Sequence, residues 1–264
     1  MIQQPATPWY GFWQLVTDEP EEIIPHNRTT IAQRPHIGFS VYTENHFIEV
    51  RSLGLRQLPQ ADDPNEAEIV GYFNLLHVCA GQCMWKQASA EWQAEHHLTD
   101  AHDPRMEGAT LLHRFTFNDD ECTCIRQTSD GGEVTETWKR LSGKGASKLA
   151  GAWKSDDPEF GRWIYLVTGG HYGVIRNLPN RLKKAAGETY SPAETVAIFE
   201  DFGFNVGARL ETSQTFDHWP FMSQVPGYET RKHQTFQIVS ASEDAFFAAI
   251  PPHIPAQSWQ RLGR

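Results

Sequence analysis

The sequence predicts a mainly β protein made of two consecutive antiparallel β-barrels, each with one short helix. Three observations lead to this prediction: the chain repeats itself once, much of each copy alternates apolar and polar residues, and clusters of turn-forming residues separate the alternating runs. Alternation with a period of two is the pattern of a strand with one buried face. Many short strands favour an antiparallel barrel, and a closed barrel of about eight strands has room for side chains or one small ligand.

The repeat consists of short segments that recur in the same order. Within it, Arg51 matches Arg176 at the spacing that also relates two threonines and two histidines of the same segment. Ordered matches of this kind indicate a duplication. We therefore predict two domains, 1–143 and 149–264, with a small, polar join between them. The paired segments are 11–14 with 151–154, 41–51 with 166–176, 63–66 with 191–194, Gly81 with Gly207, and 137–141 with 258–262.

The alternation places chemically useful side chains on predicted inner faces. Trp92 and His96 share one face of the run that begins at position 92, and Phe47 and Arg51 share one face of an earlier run. The run 112–117 follows the same pattern. Alternate residues of a strand point to opposite sides, so each pair is expected on the same side of its strand.

Two capped segments predict one helix in each copy. The tetrapeptides at 63–66 and 191–194 each combine a capping residue, a proline at the first helical position and a glutamate at the third. That combination is typical of a helix start. It predicts helices over 64–76 and 192–202.

Composition and motifs exclude several classes of protein. With 23 basic and 33 acidic residues the net charge is −10, which argues against a nucleic-acid or anionic-membrane partner. No run approaches the ~20 apolar residues of a membrane span, and residues 1–9 lack the features of a secretory signal. The chain contains no glycine-rich nucleotide loop and no serine or zinc hydrolase motif, so no cofactor is predicted.

The cysteines predict reduced thiols and a cytoplasmic location. They occur as the close pairs Cys79/Cys83 and Cys122/Cys124, whose members are too far apart along a strand for an easy disulfide. Neither pair has the two-residue spacing of common zinc sites, and the acidic and histidine residues of 97–103 are interpreted as a solvated loop. No metal is predicted.

Several of these segments, taken together, resemble bacterial lipocalin-like domains of the calycin group. The resemblance covers nearly all of the first copy. The second copy keeps the opening, the His171 strand, the helix and the closing segment, but has 216–220 where the first copy has a double histidine. The segments that carry the resemblance are Gly11-Phe12-Trp13-Gln14-Leu15, Tyr42-Thr43 with His46, Ala80-Gly81, His96-His97 followed by Pro104 and Gly108, Arg114-Phe115, and Trp138-Lys139-Arg140.

The resemblance implies a calycin-type barrel with a pocket for a small, largely apolar molecule. Tandem proteins of this kind include carotenoid hydratase-like and natural-product cyclase-like enzymes. The resemblance also implies that Arg140 and Arg261, which follow the closing tryptophans, pack on Trp13 and Trp153 of the first strands.

Three residues are candidates for catalysis. His96 lies on a predicted inner face, and histidine titrates near neutrality, which suits acid–base work as well as hydrogen bonding to a ligand. The alternative is a structural histidine bonded to a neighbouring strand. Asp217 and His218 form an acid–histidine neighbour pair, which supports proton transfer only if the segment is a loop, because neighbours on a strand point apart.

Five residues are candidates for ligand binding. Trp92, Trp219 and Tyr172 supply aromatic walls, for which core packing is the alternative. Arg51 and Arg176 face the predicted lumen, where a buried arginine needs either an anionic ligand or an internal carboxylate.

The function expected from these features is that of a cofactor-independent enzyme, an isomerase, cyclase, hydratase or lyase. It would act on a small hydrophobic or aromatic metabolite in a barrel cavity by proton transfer from a histidine or carboxylate. The alternatives are a non-catalytic binder or carrier of such a ligand, and a scaffold whose barrels are filled by their own side chains. The sequence leaves a homodimer open.

Overall fold

In the residues that the structure describes, sixteen strands close into two consecutive antiparallel barrels of eight, which confirms the predicted fold class. The computed structural model describes residues 7–16, 37–52, 65–127, 132–145, 147–185, 187–224, 234–248 and 257–262. Each barrel is an up-and-down sheet in which the last strand pairs with the first. In the described residues, no helix is long and apolar enough to cross a membrane.

The first barrel runs from Gly11 to Ser142, with its helix between the third and fourth strands. A short 3-10 helix at Pro104–Met106 follows β5. The elements are β1 Gly11–Val16, β2 Ile37–Tyr42, β3 His46–Ser52, α1 Glu66–Leu75, β4 Leu76–Ala88, β5 Glu91–Ala101, β6 Thr110–Asn118, β7 Glu121–Gln127 and β8 Glu133–Ser142.

The second barrel repeats this order from Gly151 to Arg261, with its helix again between the third and fourth strands. The elements are β9 Gly151–Asp157, β10 Gly161–Val167, β11 His171–Asn177, α2 Pro192–Glu200, β12 Phe202–Glu211, β13 Thr215–Ser223, β14 Gln234–Ala241, β15 Ala245–Ala248 and β16 Gln257–Arg261.

The two helix starts differ in how well the sequence predicts them. In α2, Ser191 caps the helix and Glu194 completes the capping box, as expected. In α1 the cap is Asn65, whose side chain accepts from the backbone of Glu68, so the helix begins two residues later than predicted. Both registers offer a capping residue with glutamate three positions on. The predicted cap, Asp63, and the predicted first helical residue, Pro64, lie outside the described residues.

The closing arginines pack on the opening tryptophans, as the resemblance implies. The guanidinium of Arg140 lies 4.5 Å from the ring centroid of Trp13, and that of Arg261 lies 4.1 Å from Trp153. Both indole N–H groups donate to a backbone carbonyl four residues earlier, at 2.8 and 2.7 Å. A Cβ on Gly151 would meet the guanidinium of Arg261, so the glycine makes room for this packing.

The paired glycines of the repeat also have one structural role. Each follows a register shift in the strand pair that contains it, β4 with β5 and β12 with β13. A Cβ on Gly81 would overlap the backbone of His97, and one on Gly207 would overlap that of Trp219. Close approach of two backbones at a bulge requires glycine, which explains why both copies have it there.

One apolar core joins the barrels. It packs β2–β4 and α1 of the first copy against β10–β12 and α2 of the second, and Tyr72 meets Phe199 edge to face at 5.7 Å between the helices. At its border, buried Asp100 accepts hydrogen bonds from Arg162 and from Asn177 of the second barrel. Strand β3 is therefore buried along its whole length, one face on the barrel interior and the other on this core.

Candidate functional site

The interior of the first barrel contains an aromatic layer and a polar layer. In the aromatic layer the indole of Trp9, just before β1, stacks on Trp85 with centroids 4.4 Å apart. Trp92, predicted as a wall residue, is half-buried and meets Trp9 edge to face at 4.8 Å. The three tryptophans close this part of the barrel around Tyr42 and Phe115, which pack against Trp85.

His96 lies inside the barrel, where the alternation of β5 predicted it. Its ring stacks on Phe47 at 4.2 Å and meets His113 edge to face at 4.4 Å. Burial, and then the neighbouring His113, hold the pKa of His96 well below its ordinary value, so the ring is neutral at pH 7. Its Nε2 and the Nδ1 of His113 have no hydrogen-bond partner among the described side chains and backbone.

Arg51 lies in the polar layer and meets internal carboxylates there. Its Nε lies 2.8 Å from Oε1 of Glu49, and a second nitrogen binds Glu136. Arg126 also binds Glu136, at 3.0 Å. Burial opposes the charge of Arg51, but the two carboxylates outweigh it and its pKa is raised. Two acids and two arginines leave this layer without net charge, so Arg51 is neutralised without an anionic ligand.

A small cavity of about 10 Å³ lies between the two layers, enough for about one water molecule. Three of its lining residues have a buried polar atom without a partner in the described part of the chain: Ser40 Oγ, Arg51 Nη2 and Trp138 Nε1. The lining residues are Trp9, Trp13, Ser40, Tyr42, Glu49, Arg51, Phe115, Phe117, Cys122, Cys124 and Trp138. Residues with unsatisfied hydrogen-bonding groups thus line a space that is otherwise bounded mainly by aromatic rings.

The second barrel holds His218 in its interior. Its ring stacks on Tyr172 at 3.7 Å, and its Nε2 lies 2.9 Å from the hydroxyl of Tyr165. The Tyr172 hydroxyl donates to Asn205 at 2.7 Å. Burial, and then the charge of Arg209, lower the pKa of His218 well below its ordinary value. The structure therefore brings together two of the predicted residues, His218 and Tyr172.

Asp217 and Trp219 are on the opposite side of strand β13 from His218. The Asp217 carboxylate accepts a hydrogen bond from the Thr235 hydroxyl, and Trp219 is 38% exposed. The segment is a strand and not a loop, so its neighbours point apart. The predicted acid–histidine pair is therefore not formed, and Trp219 is no wall of the lumen.

Arg176 differs from its repeat partner Arg51. It is half-buried, donates to the backbone carbonyl of Glu200 at 2.7 Å, and lies 5.9 Å from the ring of Trp163. Burial lowers its pKa, whereas the carboxylates around Arg51 raise the pKa there. The repeat therefore predicts the position of the two arginines but not their surroundings.

Sequence reasoning missed Glu136, His113 and Ser40 as site residues. A signal existed for Glu136, because Val134, Glu136 and Trp138 alternate with outward residues along β8. An acid on an otherwise apolar face needs a buried partner. Ser40 offered no such signal.

Comparisons with known proteins show the fold and leave the family open. No family model matches the sequence, and no curated protein matches it. The chain is similar to the crystal structure of an uncharacterized protein from Saccharomyces cerevisiae, with a TM-score of 0.50 and 11% identity over 96% of this chain and 97% of that one. At this identity the likeness extends to the fold alone, so the lipocalin resemblance depends on the residues quoted above.

Proposed function

We propose that the first barrel binds a small, uncharged aromatic molecule that carries a hydrogen-bond acceptor such as a carbonyl oxygen. The observation that supports this proposal is the cavity between the two layers, which is lined in part by Ser40, Arg51 and Trp138, each with a buried polar atom that has no partner in the described residues. An unmade hydrogen bond in the interior costs about 1–3 kcal/mol. A ligand oxygen placed there removes that cost, as a bound water would.

The chemistry of the lining selects the ligand class. Arg51 Nη2 and Trp138 Nε1 only donate hydrogen bonds, so a ligand group that bonds to either of them must accept. The balanced charges of the polar layer make an anionic ligand unfavourable, because nothing would neutralise it. The rings of Trp9, Phe115 and other lining residues suit an apolar body.

The ligand needs a larger cavity than one water molecule does, and movement of the Trp9 side chain would enlarge the cavity. Trp9 lies before β1 and not in the sheet, and its indole N–H makes only a long bond of 3.4 Å to the backbone of Glu44. Displacement of Trp9 from Trp85 would extend the cavity toward the aromatic end. Such side-chain rearrangements at binding sites are common.

The test is a titration of the full chain with neutral aryl aldehydes and ketones, the matched hydrocarbons and the matched carboxylates, followed by calorimetry. We expect the carbonyl compounds to bind most tightly. Trp138→Phe keeps the ring and removes the donor, which should weaken binding about 2- to 12-fold.

The control is Trp259→Phe, the equivalent tryptophan of the second barrel, whose indole nitrogen is also buried without a partner in the described residues. It should leave binding unchanged. Equal affinity for carbonyls and hydrocarbons, or equal losses in the two tryptophan variants, would contradict the proposal.

Catalysis is the second candidate, and the neutral His96, whose Nε2 has no hydrogen-bond partner in the described residues, favours it. His96 lies 5.6 Å from the ring of Tyr42, which lines the cavity, and an unprotonated imidazole can act as a general base. If a bound compound is converted, His96→Gln should lower turnover by a factor of about 100 or more and leave its affinity within a factor of two or three. Loss of affinity with unchanged turnover would assign His96 to binding alone.

A further inference from the structure

Three different metal-ligating side chains meet at the polar layer of the first barrel. Glu49 on β3 lies directly opposite Cys79 on β4, and His77 is two residues before Cys79 on the same face of β4. Antiparallel pairing thus brings Glu49 close to two donors that lie 28 and 30 positions later in the chain. One oxygen, one nitrogen and one sulfur atom, all within 4.8 Å of one another, form the cluster.

The two separations that involve His77 are close to those that a tetrahedral metal ion imposes. His77 Nε2 lies 3.6 Å from Cys79 Sγ and 3.7 Å from Glu49 Oε1. Zinc bonds of about 2.3 Å to sulfur and about 2.0–2.1 Å to nitrogen and oxygen, at tetrahedral angles, separate the same atom pairs by roughly 3.6 and 3.4 Å. Glu49 and Cys79 lie within 4.8 Å of each other, and binding would bring these two donors to roughly 3.6 Å.

We propose that Glu49, His77 and Cys79 bind one divalent transition-metal ion of the zinc class. The mixed set of nitrogen, sulfur and oxygen donors fits zinc better than magnesium or calcium, which prefer oxygen alone. Three protein ligands leave the fourth position open, as in catalytic rather than structural zinc sites.

The surroundings of the cluster support the ligands. Arg51 Nε lies 2.8 Å from Glu49 Oε1, and a carboxylate that binds a metal ion is usually oriented by a neighbouring group of this kind. Glu49 and Cys79 are buried, whereas the side chain of His77 is 34% exposed, which gives the ion a route from solvent. Binding converts the Cys79 thiol to a thiolate, and its proton leaves to solvent.

The competing explanation is a simple thiol–imidazole contact without metal. It accounts for the distance between Cys79 and His77, and the ion pair with Arg51 accounts for the position of Glu49, so metal uptake is the observation that separates the two explanations. The proposal concerns the metal alone and is independent of the proposed organic ligand. If the chain binds the metal ion but no carbonyl compound, only the metal proposal holds. If it binds carbonyl compounds but no metal ion, only the proposed organic ligand holds.

The test adds Zn²⁺ or Co²⁺ to chelator-treated full chain. Calorimetry with Zn²⁺ should show one equivalent bound, and Co²⁺ should give thiolate charge-transfer absorption with the intense visible bands of a tetrahedral site. Cys79→Ser should abolish the charge-transfer band and weaken zinc binding about 100-fold or more, since even substitutions behind a ligand cost about 10- to 100-fold.

Two further variants keep the result decisive. Cys83→Ser is the control, because Cys83 is also a free, buried thiol of β4 but lies outside the cluster; it should bind the metal ion like the wild type. His77→Gln changes a partly exposed ligand, so it should fold and still weaken binding if Cys79→Ser does not fold. Absence of stoichiometric uptake, or uptake that neither Cys79→Ser nor His77→Gln weakens, would overturn the proposal.

Discussion

Ile48 of the first barrel packs directly against Gly173 of the second, and the two residues occupy equivalent positions in the repeat. A Cβ placed on Gly173 would lie 3.4 Å from Cδ1 of Ile48 and 2.9 Å from Cγ2 of Val41. Equivalent residues that touch across an interface are the mark of a two-fold arrangement, in which one face of each copy meets the same face of the other. Because Gly173 has no side chain, the side chain of Ile48 fits against it.

Gly173→Ala should destabilise the protein by about 1–3 kcal/mol, because the added methyl group overfills this contact. Gly170→Ala is the matched control in the preceding turn, where a Cβ would meet only one backbone atom at 4.0 Å; its effect should be within about 0.5 kcal/mol. Urea unfolding measures both. Equal effects would show that the space around Gly173 accepts a methyl group without strain.

Arg51→Met should cost about 3–5 kcal/mol, since it leaves Glu49 buried without its cation and removes one cation from Glu136. Arg176→Met, at the equivalent position, removes a hydrogen bond to a carbonyl and should cost only about 1 kcal/mol. The comparison by chemical denaturation uses the same substitution twice. A larger loss at Arg176 would contradict the description of the polar layer.

Acidification should destabilise the fold before the carboxylates titrate. Burial lowers the pKa of His96 and His218 well below the ordinary value of about 6.5 and that of His113 to about 4. Below pH 6.5 the unfolded chain therefore binds protons that the folded chain excludes. Each such histidine lowers the free energy of unfolding by up to about 1.4 kcal/mol per pH unit until its folded pKa is reached.

The measurement is the free energy of unfolding from pH 7.5 down to pH 5. His113→Gln should flatten this dependence relative to the wild type, whatever its effect on stability at pH 7.5. Identical slopes in the two proteins, or a wild type that gains stability on acidification, would contradict the burial of a neutral His113.

Trp9→Ala should speed the entry of an aromatic carbonyl compound, because the wild-type indole must leave Trp85 before a ligand enters. It should also cost up to about 3–5 kcal/mol of stability through the cavity it creates. Stopped-flow association rates test the first effect. Trp219→Ala, at an exposed position, is the control, and equal rates in all three proteins would show that Trp9 does not limit entry.

Local patterns predict what depends on neighbours in the chain. The alternation of β5 predicts that His96 points inward, and the capping box predicts the start of α2. Both features follow a rule of a few residues. The packing of Arg140 on Trp13 joins distant residues and is implied by the family resemblance instead.

Features that depend on contacts across the fold are beyond such patterns. The start of α1 is ambiguous because two overlapping capping registers compete, and only the folded chain selects Asn65. Asp217 and His218 are adjacent in sequence but separated by the strand that contains them. The meeting of Glu49 with Cys79 depends on the register of β3 against β4, for which the sequence between them holds no signal that we can identify.

Strand β3 has no side chain in free contact with water, since all seven of its residues are buried. On β8, in contrast, buried residues alternate with exposed or half-exposed ones. We therefore expect substitutions to be tolerated unevenly around the first barrel. Most outward positions of β8 should accept other residues without loss of stability, whereas each position of β3 is buried and should not. New surface properties can therefore evolve on the β8 side without disturbing the interior of the first barrel or the apolar core that joins the two barrels.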